Sequence, residues 1–145
     1  MTDSANVMAL LAQLVVKQRV SLGGLTDDER RAALSLAWAS LPWNPMRESD
    51  VNQALKAALA GAAQCLGTDH VELRRWLVDA GWLARDGYGR EYRRLPAAEV
   101  YVDNQPWAAV WATEDASAWV AEKREQHAAQ RAQRRQRWEG GQRAA

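Results

Sequence analysis

The sequence predicts an α+β fold that is mostly helical: a winged helix-turn-helix core with helical extensions at both ends. Three observations predict it. Amphipathic helical stretches with start and stop signals follow one another from Thr26 to Ala80. Two short extended runs around "DGYG" follow at once, as a hairpin would. Further helical patterns then lie outside this block on either side.

The first pattern is "NVMALLAQLVVKQRVSLGG", where Val7, Met8, Leu11, Leu14 and Val15 make one apolar helical face and Gly23 and Gly24 stop it. Such a face must pack on the body or on a second copy. The next helix opens on Thr26-x-x-Glu29, a capping box, with Asp27 and Asp28 in the first turn. Ala33, Leu34, Ala37, Trp38 and Leu41 form its buried stripe before Pro42. Ser49 is the expected N-cap of the following helix, whose apolar face is Val51, Leu55, Ala58 and Leu59, with Gly61 near its end. Thr68 or Asp69 caps a third helix of the block. Leu73, Trp76, Leu77 and Ala80 turn inward there, and Gly81 suits the left-handed position after it. "WLAR" and "REYRRL" then form the hairpin, with a short extended piece near Met46–Glu48 as a possible third strand. Beyond Pro96, "AEVYVDNQPWAAVWA" suggests two more short strands. A last helix begins near Thr113, docks through Ala116, Trp119 and Val120, and then loses its apolar stripe. Its far end is expected to project, fray or pair, with residues 139–145 disordered. The expected segments are thus 1–24, an N-terminal helix for packing or dimerisation; 25–95, the winged-helix domain; 96–120, strand-turn-strand and the start of the last helix; and 121–145, a basic helical tail.

Composition narrows the class. The chain has 145 residues, 48% apolar and 26% charged, which are globular values. Its net charge of +1 conceals a division: residues 1–120 carry −3 and residues 121–145 carry +4. The single Cys65 rules out an intrachain disulfide and a cysteine metal cluster, and fits a reducing compartment. With no apolar run of membrane-spanning length and no positively charged leader in "MTDSAN", a cytoplasmic protein without membrane association is expected.

One string is specific enough to support a family likeness. Asp69-His70-x-x-Leu73-Arg74-Arg75-x-Leu77-Val78-Asp79-x-Gly81-x-Leu83-x-Arg85-Asp86-x-x-Gly89-x-x-Tyr92, with "RESDVNQAL" upstream, resembles a bacterial domain-of-unknown-function family. The resemblance spans roughly Asp27 to Leu95. It implies a winged-helix-like fold and, because members occur alone or attached to ArsR-type regulators, an association with transcription. It brings no catalytic or ligand residues.

The residues themselves give each candidate two readings. In a DNA-binding winged helix the helix after Asp69 lies in the major groove, so His70, Arg74 and Arg75 could contact bases or backbone. Alternatively, Arg74 and Arg75 pair with carboxylates, since residues 69–94 carry a net of only +1. In the hairpin, Arg85, Arg90, Arg93, Arg94 and the tip residue Tyr88 can reach phosphates or the minor groove, or merely keep an edge soluble. Strand alternation sends Arg90, Tyr92 and Arg94 one way and Glu91 and Arg93 the other. In the tail, Arg124, His127, Arg131, Arg134 and Arg135 recur at spacings of three and four, either a basic stripe for nucleic acid or a solvated extension. Asp69 is accounted for as a cap, and His70 has no second histidine within ligand spacing, so neither metal nor acid–base chemistry is indicated. Trp38, Trp76 and Trp82 belong in or near the core. Trp107, Trp111 and Trp119 form a second cluster or a protein interface.

The expectation is therefore a non-enzymatic transcriptional regulator that contacts duplex DNA, with no cofactor and possibly as a homodimer. The alternative is a protein-interaction module using the Trp-rich C-terminal section. A third class, a ligand-sensing regulator with a Trp-lined pocket, has less behind it.

Overall fold

The computed structural model describes residues 3–144, with side chains described for 3–141. Six helices run in the order α1 (Ser4–Leu14), α2 (Asp27–Ala39), α3 (Glu48–Leu59), α4 (His70–Asp79), α5 (Gln105–Val110) and α6 (Ala116–Ala144). A two-stranded antiparallel sheet, β1 (Leu83–Arg85) and β2 (Tyr92–Arg94), lies between α4 and α5. Short 3₁₀ turns occupy Leu22–Gly24 and Val102–Asn104.

Helix α2 is the centre of the molecule. Every residue from Ala32 to Trp38 is buried, because α1, α3, α4 and α5 all pack on it. A single apolar stripe would cover one such neighbour, and the alanines at 32, 33 and 37 let helices approach the remaining sides. The capping box at its start is complete. Glu29 N–H donates to Thr26 Oγ1 at 3.2 Å, and Thr26 N–H donates to Glu29 Oε1 at 3.0 Å. The Thr26 backbone N–H, aided by the Thr26 hydroxyl and Lys17, holds the Glu29 carboxyl below its usual range.

The block from α3 to β2 follows its local signals closely. Asp69 caps α4 by accepting from Glu72 N–H at 2.8 Å. Leu73 and Leu77 are fully buried on one α4 face. Gly81 leaves the helix at φ +80°, a left-handed conformation that a side chain would strain. The hairpin pairs Leu83 with Arg94 and Arg85 with Tyr92. Its left-handed residue is Gly89 (φ +67°), and Asp86 Oδ1 closes the loop by accepting from Arg90 N–H at 2.8 Å. The extended piece at Met46 is a single antiparallel bridge to Tyr92, with both backbone hydrogen bonds at 2.8 Å.

Several local expectations are corrected. Helix α1 ends at Leu14, well before Gly23, because the chain turns at Arg19 (φ 55°) to set Val20 beside Leu66 in a parallel bridge. The N-cap of α3 is Arg47, whose N–H donates to Asp50 at 3.0 Å, and Ser49 lies inside the helix. The two strands expected after Pro96 are instead a 3₁₀ turn and α5. Pro106 sits in the first turn of α5, where its missing N–H costs nothing, and Trp107 and Ala108 are buried. Asp115 rather than Thr113 opens α6, accepting from Ala118 N–H at 2.9 Å. Helix α6 continues through residues 139–144, where disorder was expected, and Ala145 lies outside the described residues.

The C-terminal section is tied to the centre by tryptophans. Trp111 Nε1–H donates to Ser35 Oγ of α2 at 3.0 Å, and the Trp111 and Trp119 rings meet edge to face at 5.7 Å. Ala116, Trp119 and Val120 are buried, as their spacing predicted. From Ala128 to the last residue whose side chain is described, α6 is exposed on every face. The 17 residues from there to Ala144 extend about 25 Å at helical rise. Among the described residues, no helix is long and apolar enough to cross a membrane.

Candidate nucleic-acid interface

The positive charges that the sequence nominated fall into two groups, those consumed by the fold and those left in water. Arg74 belongs to the first. Its Nη2 pairs with Glu48 of α3 at 3.0 Å and its Nη1 bonds Asn52, while its guanidinium lies 5.8 Å from the Tyr92 ring. Only 16% of the side chain is exposed. Arg74 thus clamps α3, α4 and β2, with Glu48 as its carboxylate partner.

Arg94 is a second correction. Strand alternation places it on the same side as Tyr92, and that side is the interior. The guanidinium lies 4.1 Å from the Trp38 ring centroid and 3.7 Å from that of Trp43, and Nη1 donates to Leu41 O at 2.8 Å. No carboxylate pairs with it among the described residues. Burial lowers its pKa to about 10, so it stays charged at neutral pH, held by π faces and one carbonyl. Arg124 is a third. It donates from Nη1 to Val15 O at 2.7 Å and fastens α6 to the end of α1. His70 and His127 are half-buried.

The second group is exposed. On α4, Arg75 faces water, but so do Val71, Glu72 and Asp79, which leaves that face without a positive surplus. On the hairpin, Tyr88 at the tip is 86% exposed, with Arg90 stacked 5.8 Å from its ring. Arg85 folds over Gly89, where a Cβ would meet its guanidinium at 2.5 Å. Arg93 pairs loosely with Glu99 at 3.6 Å, both side chains about half exposed. On α6, Arg131, Arg134, Arg135 and Arg137 have no carboxylate partner among the described residues. Arg137 was not singled out in the tail stripe, although it lies in the same charge run.

The tryptophans divide in the same way. Trp38, Trp82, Trp107 and Trp119 are core residues, and Trp76 and Trp111 are half-buried. An interface built on the Trp-rich C-terminal section therefore has only Trp138 fully at its disposal there, while the other exposed tryptophan is Trp43. Burial pushes the Cys65 thiol up to about 11, the setting of a packing residue rather than a reactive thiolate.

Comparison with known proteins agrees with the likeness noted above. Residues 26–94 match the family model described as "Uncharacterized protein conserved in bacteria (DUF2087)". The match covers α2 to β2 and leaves α1, α5 and α6 outside. No curated protein and no solved structure matches the chain.

Proposed function

We propose that the protein is a non-enzymatic, DNA-contacting regulator whose grip comes mainly from the hairpin and from the free part of α6. Helices α2, α3 and α4 followed at once by the β1–β2 hairpin, with the Met46 bridge beside it, have the order of a winged helix-turn-helix. The family likeness adds its implied association with ArsR-type regulators.

One observation carries the reading. Beyond His127 every described side chain of α6 is exposed, the arginines at 131, 134, 135 and 137 among them. A helix that carries four exposed arginines against one glutamate repels itself. A polyanion offsets that repulsion through counterion release. The exposed Tyr88 with Arg85 and Arg90 would add groove or backbone contacts from the wing. Helix α4 contributes less than its sequence suggests, since among the described residues Arg75 is its one free cation.

The test is binding to duplex DNA across salt concentrations. Affinity is expected to fall with log[salt] at a slope of about −0.9 per phosphate neutralised. Ending the chain after Ala128 should flatten that slope by about two to four. An unchanged slope in the shortened chain would remove α6 from the interface, and absence of binding at low salt would end the proposal. The exposed α4 face, with Glu72 and Asp79 beside Arg75, favours a second reading: a winged-helix scaffold that binds protein, including a second copy.

A further inference from the structure

An aromatic-walled hollow lies on the other side of α4 from Arg74, and neither the hairpin nor α6 lines it. It holds about 320 Å³ between α2, the C-terminal end of α4 and the Val102–Asn104 turn. Trp76 and Tyr101 are its flat walls, and Leu34 and Ala80 its apolar floor. The volume is at the lower end of the range for small-molecule sites.

Its construction is rigid where a ligand would rest. The Tyr101 ring lies directly on Gly81, where an added Cβ would sit 2.3 Å from the ring, so only glycine lets that wall stand where it does. Asn104 is 97% buried and donates from Nδ2 to Ala80 O at 2.7 Å, which locks the turn to the end of α4. Its Oδ1 accepts no hydrogen bond from the described residues.

The charges decide what fits. Two arginines line the hollow, and both are already engaged. Arg30 donates to Leu22 O and Leu25 O at 3.0 Å each and to Asp27 at 3.3 Å, with its guanidinium 4.8 Å from the Trp76 ring. Arg31 bonds Asp28 at 2.9 Å and lies 3.7 Å from Asp103. Carboxylates outnumber guanidiniums in the lining, and acceptor capacity remains at Asp79, which has no ion-pair partner among the described residues, at the outer oxygens of Asp27 and Asp103, and at Asn104 Oδ1. An anion would meet three carboxylates, against two guanidiniums that are already paired with carboxylates. A cation would meet π faces, carboxylates and a carbonyl.

We propose that this hollow is a binding site for an organic cation, a guanidinium or ammonium group on a short aliphatic or aromatic body. The cation lies between Trp76 and Tyr101, with its N–H groups donating to Asp79, Asp103 and Asn104 Oδ1. Cation–π attraction and charge-assisted hydrogen bonds act together there. The site does not depend on DNA contact, although Trp76 and Asp79 are α4 residues and an occupant would touch that helix from behind.

Calorimetric titration of the full chain with agmatine, which carries a guanidinium and an ammonium on four carbons, tests it, with inorganic phosphate as the anionic control. Saturable 1:1 binding with a Kd of about 0.1–1 mM is expected, and none for phosphate. Asp79→Asn with Asp103→Asn should weaken it about tenfold with an unchanged Tm, since these carboxylates are exposed, and Tyr101→Ala should weaken it by a similar factor. The chain ended after Ala128 separates two sources of the cation. If it binds agmatine tighter than the full chain and no longer self-associates, the natural occupant is an arginine of a second copy's α6; equal affinity points to a free small molecule. Binding of phosphate in place of agmatine, no saturation, or carboxamide variants that bind as well as the parent would overturn the proposal.

Discussion

The segment from α2 to β2 holds nine arginines and α6 beyond Ala128 holds five, and the two regions use them in opposite ways. In the first, Arg30, Arg31, Arg74 and Arg94 are drawn into carbonyls, carboxylates and indole faces. In the second, Arg131, Arg134, Arg135 and Arg137 are exposed and have no carboxylate partner among the described residues. The difference teaches that formal charge is not available charge. A guanidinium has five donors and a flat, weakly hydrated face, so a packed domain can use it as an internal clamp. On a lone alanine- and glutamine-rich helix nothing competes for it, and the same group is left for an external anion.

If that contrast is right, removing arginines should cost stability in one region and binding in the other. The largest stability loss is expected for Arg94→Ala, which strips two tryptophan contacts and leaves Leu41 O without its donor. A drop of about 2–3 kcal/mol in urea unfolding is expected, with Arg94→Lys restoring little because an ammonium lacks the flat face. A loss under about 0.5 kcal/mol would show that the two rings hold each other without the cation. Arg74→Ala comes next, at about 1–2 kcal/mol, since its pair with Glu48 is only partly exposed and Asn52 loses its donor. Should Glu48→Gln cost as much as Arg74→Ala, the Glu48 pair carries the clamp; if it costs much less, Asn52 does. Smallest is Arg134→Ala with Arg135→Ala, within about 0.5 kcal/mol of the parent, while affinity for duplex DNA at low salt falls several-fold. A stability loss as large as that of Arg74→Ala would mean that the free end of α6 packs against something after all.

The elements most legible from sequence were those whose causes lie within a turn or two. The Thr26–Glu29 box, the Asp69 cap, the left-handed Gly81 and the buried Leu73 and Leu77 all rest on local hydrogen bonding or a 3.6-residue period. The region after Pro96 misleads because Val100 and Val102 alternate as in a strand, although Trp107 and Val110 keep the i, i+3 spacing of a helix. The decision for α5 rests on Trp107 and Ala108 finding a place beside α2. Of the proposed interface, the exposed tip Tyr88 and the projecting basic helix could be read from a glycine-bounded turn and from the loss of apolar residues after Val120. The aromatic-walled hollow could not, because its walls come from Trp76 and Tyr101 on separate elements.

From the order of residues alone, then, came the helices from Thr26 to Ala80 with the caps at Thr26 and Asp69, the hairpin that follows, the split between a mildly acidic body and a basic end, and the pattern by which residues 26–94 match a family model. These depend on neighbours along the chain. The three-dimensional arrangement settled what each arginine touches. Arg74 meets Asn52 from 22 residues away, Arg94 meets Leu41 from 53, and Arg124 meets Val15 from 109. A guanidinium on a flexible stem takes whichever acceptor or ring the packing brings near, and no local pattern encodes that partner.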